Sequence, residues 1–243
     1  NELFDWILEH KFKISSISKF AFNDLLYICA KNGNAHAFIE IVDKGIDFSH
    51  NFLKFISKAA RKGFYQLFQL IMNLSDNKFG TFLDENIEGK TREEFIRSFT
   101  SFGNLSIFKL SLQFEYVQDD FEISFLNAIQ NQYTYIIEYF FENIIKTGRF
   151  KIRPKFAFQT LNIAIEEQLN SIFVYLLNNF IDINHNITFH LNEFNSLLVT
   201  LCQKNNFELV KIITNLIIKF NPKEDLTNAF LEAAKINSIE ICK

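Results

Sequence analysis

The residues best suited to binding a charged partner lie in one basic stretch, residues 146–155 (KTGRFKIRPK). The stretch contains five cations: Lys146, Arg149, Lys151, Arg153 and Lys155. Phe150 and Ile152 alternate with the later cations, and alternate side chains of an extended segment point to opposite faces. We therefore predict an extended finger that presents basic side chains to an acidic protein partner, with a solvated loop as the alternative.

Residues that could catalyse a reaction or bind a metal show no comparable grouping. Metal sites need ligands at short, defined spacings, whereas the histidines are scattered at His10, His36, His50, His185 and His190. The cysteines occupy positions where cysteine serves as a small apolar residue, namely Cys29, Cys202 and Cys242. The sequence has no glycine-rich phosphate loop and no nucleophile motif. We predict no enzymatic activity, no metal and no cofactor for this segment.

The composition indicates a helical chain that binds neither nucleic acid nor membrane. Among 243 residues, 48% are hydrophobic, but only 7 are glycine and 2 are proline, which disfavours a β-sandwich or barrel. The net charge of −3 disfavours nucleic-acid binding. No apolar run reaches the roughly 18–20 residues that cross a bilayer.

The cysteine count and the first residue bear on location and completeness. An odd number of cysteines without a spaced pattern suits a reducing compartment, so we expect a cytoplasmic protein, including one associated with the cytoskeleton. Because the chain starts at Asn1 and not at methionine, we expect a piece of a longer protein. Because neither end has the polar cap that a solenoid needs, we expect further repeats on both sides.

The elements that position the candidate side chains form an internal repeat. Residues 23–47 (NDLLYICAKNGNAHAFIEIVDKGID) contain an apolar helix pattern, a break at Gly33 and a second apolar helix pattern. Glycine and asparagine both tolerate the left-handed conformation that ends a helix. Matching breaks recur 29 to 40 residues apart, at Gly63, Gly103, Gln132, Gln168, Asn205 and Asn237.

Apolar residues hold fixed positions around each break. The first helix has them seven and four residues before the break, and the second helix has them four, five and eight residues after it. Spacings of three and four place such residues on one helical face. Across the breaks these positions predict a buried stripe on every helix, from Leu26, Cys29, Ala37, Phe38 and Ile41 to Phe230 and Ala233, with Ser111 the one polar exception.

With these residues in view, the whole chain resembles the ankyrin repeat family in a divergent form. Residues 29–34 (CAKNGN) with Gly45-Ile46-Asp47 are similar to the family's Ala-Ala-x-x-Gly-His and Gly-Ala-Asp motifs. Residues 58–63 (KAARKG) and 233–237 (AAKIN) repeat the first motif, and residues 180–184 (FIDIN) are similar to the exit motif. Tetratricopeptide and HEAT-type helix pairs are the alternatives.

The resemblance implies an all-α, ankyrin-type solenoid of stacked helix pairs. We predict one continuous array over residues 1–243, with about seven units and a partial unit at each end. Because short spacings leave little chain for β-hairpin fingers, we expect these fingers to be reduced.

The resemblance also implies a partner-binding concave side lined by charges at the ends of the first helices: Lys31, Arg61, Lys62, Glu166, Glu167 and Lys204. Residues 77–90, an insertion in the repeat, are a further candidate for partner contact. We predict a scaffold or adaptor segment that binds another protein through this side and the inter-repeat loops. The alternative is a structural component built permanently into a large cytoskeletal or organellar assembly.

Overall fold

Every regular element in the described part of the chain is helical, which confirms the predicted all-α class. The computed structural model describes residues 19–48, 51–74, 90–114, 116–183, 191–220 and 225–235. The predicted break at Asn237 and most of the insertion at residues 77–90 lie outside these ranges, as do Cys242 and every histidine except His36.

Thirteen α-helices fill those ranges. They are α1 (Lys19–Asn32), α2 (Ala35–Asp43), α3 (Phe52–Arg61), α4 (Tyr65–Leu74), α5 (Lys90–Thr100), α6 (Leu105–Ser111), α7 (Gln118–Gln130), α8 (Thr134–Phe140), α9 (Pro154–Glu166), α10 (Asn170–Ile183), α11 (Leu191–Gln203), α12 (Phe207–Phe220) and α13 (Thr227–Lys235). A π-helical turn, Phe141–Ile145, extends α8. Odd-numbered helices are the first helices of the repeat, and even-numbered helices are the second.

The break between the two helices of a pair has one geometry throughout. All six predicted break residues in the described ranges have positive φ angles, from 72° at Gly33 to 53° at Asn205, and they include Gln132 and Gln168. At four breaks the next residue donates its N–H to the carbonyl four residues before the break, as in Phe64 to Ala59 (3.0 Å) and Leu169 to Ala164 (2.7 Å). This is the Schellman motif, which satisfies carbonyls at the end of a helix. The breaks predicted from the sequence are confirmed at these positions.

Asparagine directly after the break begins the second helix in three pairs. The side chain of Asn34 accepts a hydrogen bond from Ala37 N–H, and Asn104 accepts from Ser106 and Ile107 N–H. Asn206 accepts from Leu209 N–H at 3.3 Å. Such N-caps satisfy backbone donors that have no partner within the helix. The residue that begins the second helix therefore follows directly on the break residue that ends the first.

The described helices divide into two compact units at Asn131–Gln132. In the first unit, each odd helix contacts the next odd helix from α1 to α7, and α4 contacts both α2 and α6. Each odd helix from α1 to α5 also contacts the even helix that follows it. This unit therefore has two rows of helices, formed by stacked pairs.

The second unit contains α8 to α13 and has related contacts. Helix α11 contacts both α9 and α13, and the pairs α9–α10 and α11–α12 pack together. The turns of adjacent pairs are also joined, because Asn206 donates its side-chain amide to Asn170 Oδ1 at 2.7 Å. Helix α10 continues through Ile183, so the part of the predicted exit motif at residues 180–183 is its last turn. No glycine ends the helix there, whereas Gly45, with φ +84°, follows the shorter α2.

The predicted apolar stripes form the core, with one exception. All the other described positions named above are buried, including Ser111, which donates its hydroxyl to the Phe108 carbonyl. Phe230 of α13 was expected to be buried but is 54% exposed. Helix α13 is the last helix in the described ranges, so no described helix follows to cover this side. Ala233, one turn later, is buried against the preceding helices.

A buried ion pair joins α5 to α7. The Arg92 guanidinium donates to both carboxylate oxygens of Asp120, at 2.9 and 2.6 Å. The side chain of Asp120 is 1% exposed and that of Arg92 16%. Asp120 also accepts the Val117 N–H at 2.9 Å, at the start of its own helix. Nearby, burial raises the pKa of the Tyr116 hydroxyl, which is hydrogen-bonded to Ser111.

The glycine at the second turn allows a close contact with the third. A Cβ on Gly63 would lie 2.1 Å from the Phe102 ring, whereas a Cβ on Gly45 would meet nothing within 4 Å. Both glycines have positive φ. We expect Gly63→Ala to lower the free energy of unfolding by about 1 kcal/mol more than Gly45→Ala, since the alanine displaces the ring. Urea denaturation measures the difference.

The double variant Gly63→Ala/Phe102→Ala provides the control. If the ring contact causes the extra loss, alanine at position 63 costs no more in the Phe102→Ala background than alanine at position 45 does. An equal cost at position 63 in both backgrounds would contradict the explanation.

Candidate interaction surface

The basic stretch at residues 146–155 is exposed and held at its centre by one buried ring. All five predicted cations are exposed. Phe150 is buried and packs against Phe140 and Phe156, with ring centroids 6.5 and 5.7 Å away. A turn follows the π-helical segment, with Gly148 at φ +77°, and α9 begins at Pro154. The predicted finger is therefore a short connection without a β-strand.

The first cation of this stretch has an acidic partner. Lys146 forms an ion pair with Glu142 one helical turn earlier. Such exposed pairs contribute little to stability, but they reduce the charge available to a partner. Arg149, Lys151, Arg153 and Lys155 extend beyond this pair into the connection and the start of α9.

The charges predicted at the ends of the first helices are all exposed. In the first unit they are basic: Lys31 lies in the last turn of α1, and Arg61 and Lys62 end α3. Helices α1 and α3 pack together, so these side chains belong to one surface. In the second unit the charges are mixed, since Glu166 and Glu167 end α9 and Lys204 follows α11.

Sequence reasoning missed a second group of cations on the same two helices. Lys54 and Lys58 of α3 place their ammonium groups 4.4 and 5.8 Å from the centre of the Tyr27 ring on α1. Cations over an aromatic face are attracted by its negative quadrupole. The signal that could have found them is the spacing of Lys54, Lys58 and Lys62, which places all three on one helical face.

A small groove lies between the second helices α8 and α10. Its volume is about 160 Å³, and it is lined by Thr134, Ile137, Glu138, Ser171, Ile172 and Tyr175. Burial raises the pKa of the Tyr175 hydroxyl, and the carboxylates of Glu138 and Glu142 raise it further. The groove is large enough for a single side chain, and Glu138 is the one charged residue in its lining.

The described residues show no arrangement for metal binding or membrane insertion. Within the ranges given above, no three His, Cys, Asp or Glu side chains lie close enough to hold a metal ion. None of the described helices is both long and apolar enough to cross a membrane.

Cys29 is buried, and the pKa of its thiol is raised. Burial raises the pKa of Cys29 from the ordinary 9.0 to about 11. The unfolded chain therefore releases this proton first, and the thiol's contribution to stability is complete below pH 9 and is lost as the pH rises towards 11. We expect the free energy of unfolding to fall more steeply over this range in the wild type than in Cys29→Ala. Urea denaturation at pH 8, 9.5 and 10.5 compares the two, and parallel pH dependence would contradict the expectation.

Comparison with models of known protein families finds no match, and comparison with curated protein sequences finds none either.

Proposed function

We propose that this chain is a protein-interaction scaffold of the ankyrin type, which binds another protein through its first helices and inter-repeat loops. The contacts of odd helices with odd helices and of even helices with even helices support a pair-repeat architecture. The recurring left-handed turn supports the same architecture. Helix-pair repeats present extended surfaces that commonly bind proteins. Architecture indicates function only by analogy, so the choice of surface rests on a separate observation.

One observation carries the choice of surface. Helices α1 and α3, with the C-cap of α3, carry five cations, of which Lys58 is half-buried and the others, Lys31, Lys54, Arg61 and Lys62, are exposed. No carboxylate of the described residues forms an ion pair with any of them. A surface whose charges have no acidic counterions among the described residues is suited to a partner of opposite charge.

The basic connection at residues 146–155 is a second contact region in this proposal, and the helix-end charges Glu166, Glu167 and Lys204 are a third. These regions lie in the second unit. Each is a separate candidate contact region within that unit.

A salt-stepped extraction of the tagged protein from its native cells tests the proposal. A scaffold that exchanges its partner should be released at moderate salt together with a small set of soluble proteins, because screening weakens contacts between charged surfaces. The recovered partner should then rebind the purified chain saturably. Resistance to extraction, with recovery only beside stoichiometric assembly proteins, would support the embedded structural component instead. Recovery of no protein at any step would reject both.

A further inference from the structure

We infer that the surface of α1 and α3 binds an acidic protein segment whose carboxylates recur about every 6 Å. This inference rests on the proposed function and specifies the chemistry of its partner. The basic face is defined as the cations Lys31, Lys54, Lys58, Arg61 and Lys62, together with Tyr27.

Helix α3 carries its buried apolar residues and its basic residues on different sides. It buries Phe52, Phe55, Ile56, Ala59 and Ala60 in the core. Its three cations, Lys54, Lys58 and Arg61, lie on the opposite side, and a fourth cation, Lys62, is its C-cap. Lys54, Lys58 and Lys62 follow one another at intervals of four residues, which a rise of 1.5 Å per residue converts to about 6 Å along the helix.

The spacing of these lysines fits a regular partner. Alternate side chains of an extended strand recur at about 6.5 Å, and side chains four apart on a helix recur at about 6 Å. Carboxylates at either spacing can meet successive lysines of α3.

Tyr27 restricts where the two central lysines can be. Its ring lies 4.4 Å from Lys54 Nζ and 5.8 Å from Lys58 Nζ, so a single aromatic face holds two cations. Contact with the ring reduces the freedom of these long side chains before any partner arrives. Less ordering then remains for the binding step. Tyr27 is therefore a positioning residue, and it holds the two lysines through its aromatic ring.

The basic face has a net positive charge even when the nearby acidic residues are counted. Asp24 lies three residues before Tyr27 on α1, Glu94 lies on α5, and both are exposed. Arg61 donates to the backbone carbonyl of Glu94, at 3.2 Å, and not to its carboxylate. Five cations against two acids leave a net positive face on a chain whose total charge is −3. Like charges four residues apart also destabilise a helix, and an acidic partner would relieve that repulsion.

The chain as a whole favours an acidic protein over a nucleic acid. A polyphosphate backbone needs a basic surface that follows it over several nucleotides. Here the basic face is confined to two helices, and the net charge of the chain is negative.

Binding of a synthetic peptide tests the inference. The probe is a fluorescent peptide of six Glu-Ser repeats, and the matched probe has glutamine in place of each glutamate. We expect fluorescence anisotropy to show saturable binding of the glutamate peptide at low salt. This binding should weaken between 50 and 200 mM NaCl, as expected for screened charges. The glutamine peptide should not bind.

Two double variants separate the basic face from general charge. Lys54→Gln/Lys58→Gln should weaken binding of the glutamate peptide about tenfold or more, with a thermal unfolding midpoint that is unchanged or higher. Lys211→Gln/Lys219→Gln removes the same charge from exposed positions of α12 and should change binding less than twofold. Tyr27→Leu should weaken binding, and Tyr27→Phe should restore it.

Three results would overturn the inference. These are equal weakening by the two double variants, equal binding of the two peptides, or tighter binding of a single-stranded oligonucleotide of the same length. The extraction experiment keeps this outcome separate from the proposed function. If the native partner is recovered and binds Lys54→Gln/Lys58→Gln as well as the wild type, the scaffold proposal stands and the acidic-segment inference fails.

Discussion

Replacing Phe68 with alanine is expected to lower the free energy of unfolding by about 3–5 kcal/mol. Phe68 lies on α4, five residues after the break at Gly63, and its side chain is fully buried. Its ring meets the Phe99 ring of α5 edge-on, with centroids 5.8 Å apart. Alanine would remove this contact and leave a cavity between adjacent pairs, which the packed helices cannot fill without moving. The effect should therefore reach the next pair.

Urea denaturation followed by circular dichroism measures this loss. Phe230→Ala is the matched control, because it removes the same side chain from an exposed position and should cost less than about 1 kcal/mol. Phe173 occupies the equivalent buried position in the second unit, so Phe173→Ala should resemble Phe68→Ala. A loss below about 1 kcal/mol at either buried position would reject the repeat register.

Replacing Asp120 with alanine should destabilise the protein by about 3–5 kcal/mol, since it leaves the Arg92 guanidinium without its buried partner. The same change removes the acceptor for the Val117 N–H at the start of α7. Asp119, the preceding residue, is exposed. Asp119→Ala should cost only about 0.3–1 kcal/mol, the usual effect of an acid at a helix N-terminus.

A double-mutant cycle isolates the ion pair from the cap. The double variant Arg92→Met/Asp120→Ala should be less destabilised than the sum of its single variants, because neither charge is then left buried alone. Chemical denaturation of all four proteins gives the coupling energy. Additive losses would mean that the two charges act independently, in conflict with their two hydrogen bonds.

Much of the fold follows from local rules that act within one pair. Three of the breaks carry glycine, and their left-handed conformation could be predicted from residue type alone. Gln132 and Gln168 could be placed only because the apolar stripes on both sides fixed the register. At Gln168 the Schellman hydrogen bond from Leu169 N–H goes with the same left-handed backbone as at the glycine breaks, and Gln132 has the same positive φ, at some conformational cost for glutamine.

Contacts between pairs could not be predicted from the sequence pattern. Arg92 and Asp120 lie 28 residues apart, and nothing in either helix marks them as partners until α5 and α7 are packed together. The exposure of Phe230 is a second case. Its position in the repeat matches buried residues elsewhere, and only the surrounding helices determine whether the side chain is buried. The repeat specifies which face a residue occupies but not what lies opposite it.

The candidate surface was predicted only in part, for the same reason. Lys31, Arg61 and Lys62 were identified from their place at the helix ends. The contribution of Lys54 and Lys58 depends on the Tyr27 ring, which belongs to the preceding pair. Grouping cations by helix face, and not only by helix end, would have joined these residues to one surface.

The pairing of neighbours along the chain also has a kinetic consequence. The hydrogen bond from Asn104 to Gly63 spans 41 residues, and the ion pair between α5 and α7 spans 28. Within each unit, contacts of this kind join segments that are never far apart in sequence. The loops that must close during folding are therefore short, and low contact order favours fast folding. Any one pair can serve as the nucleus on which the next assembles, so each unit can grow in either direction from the first pair to form.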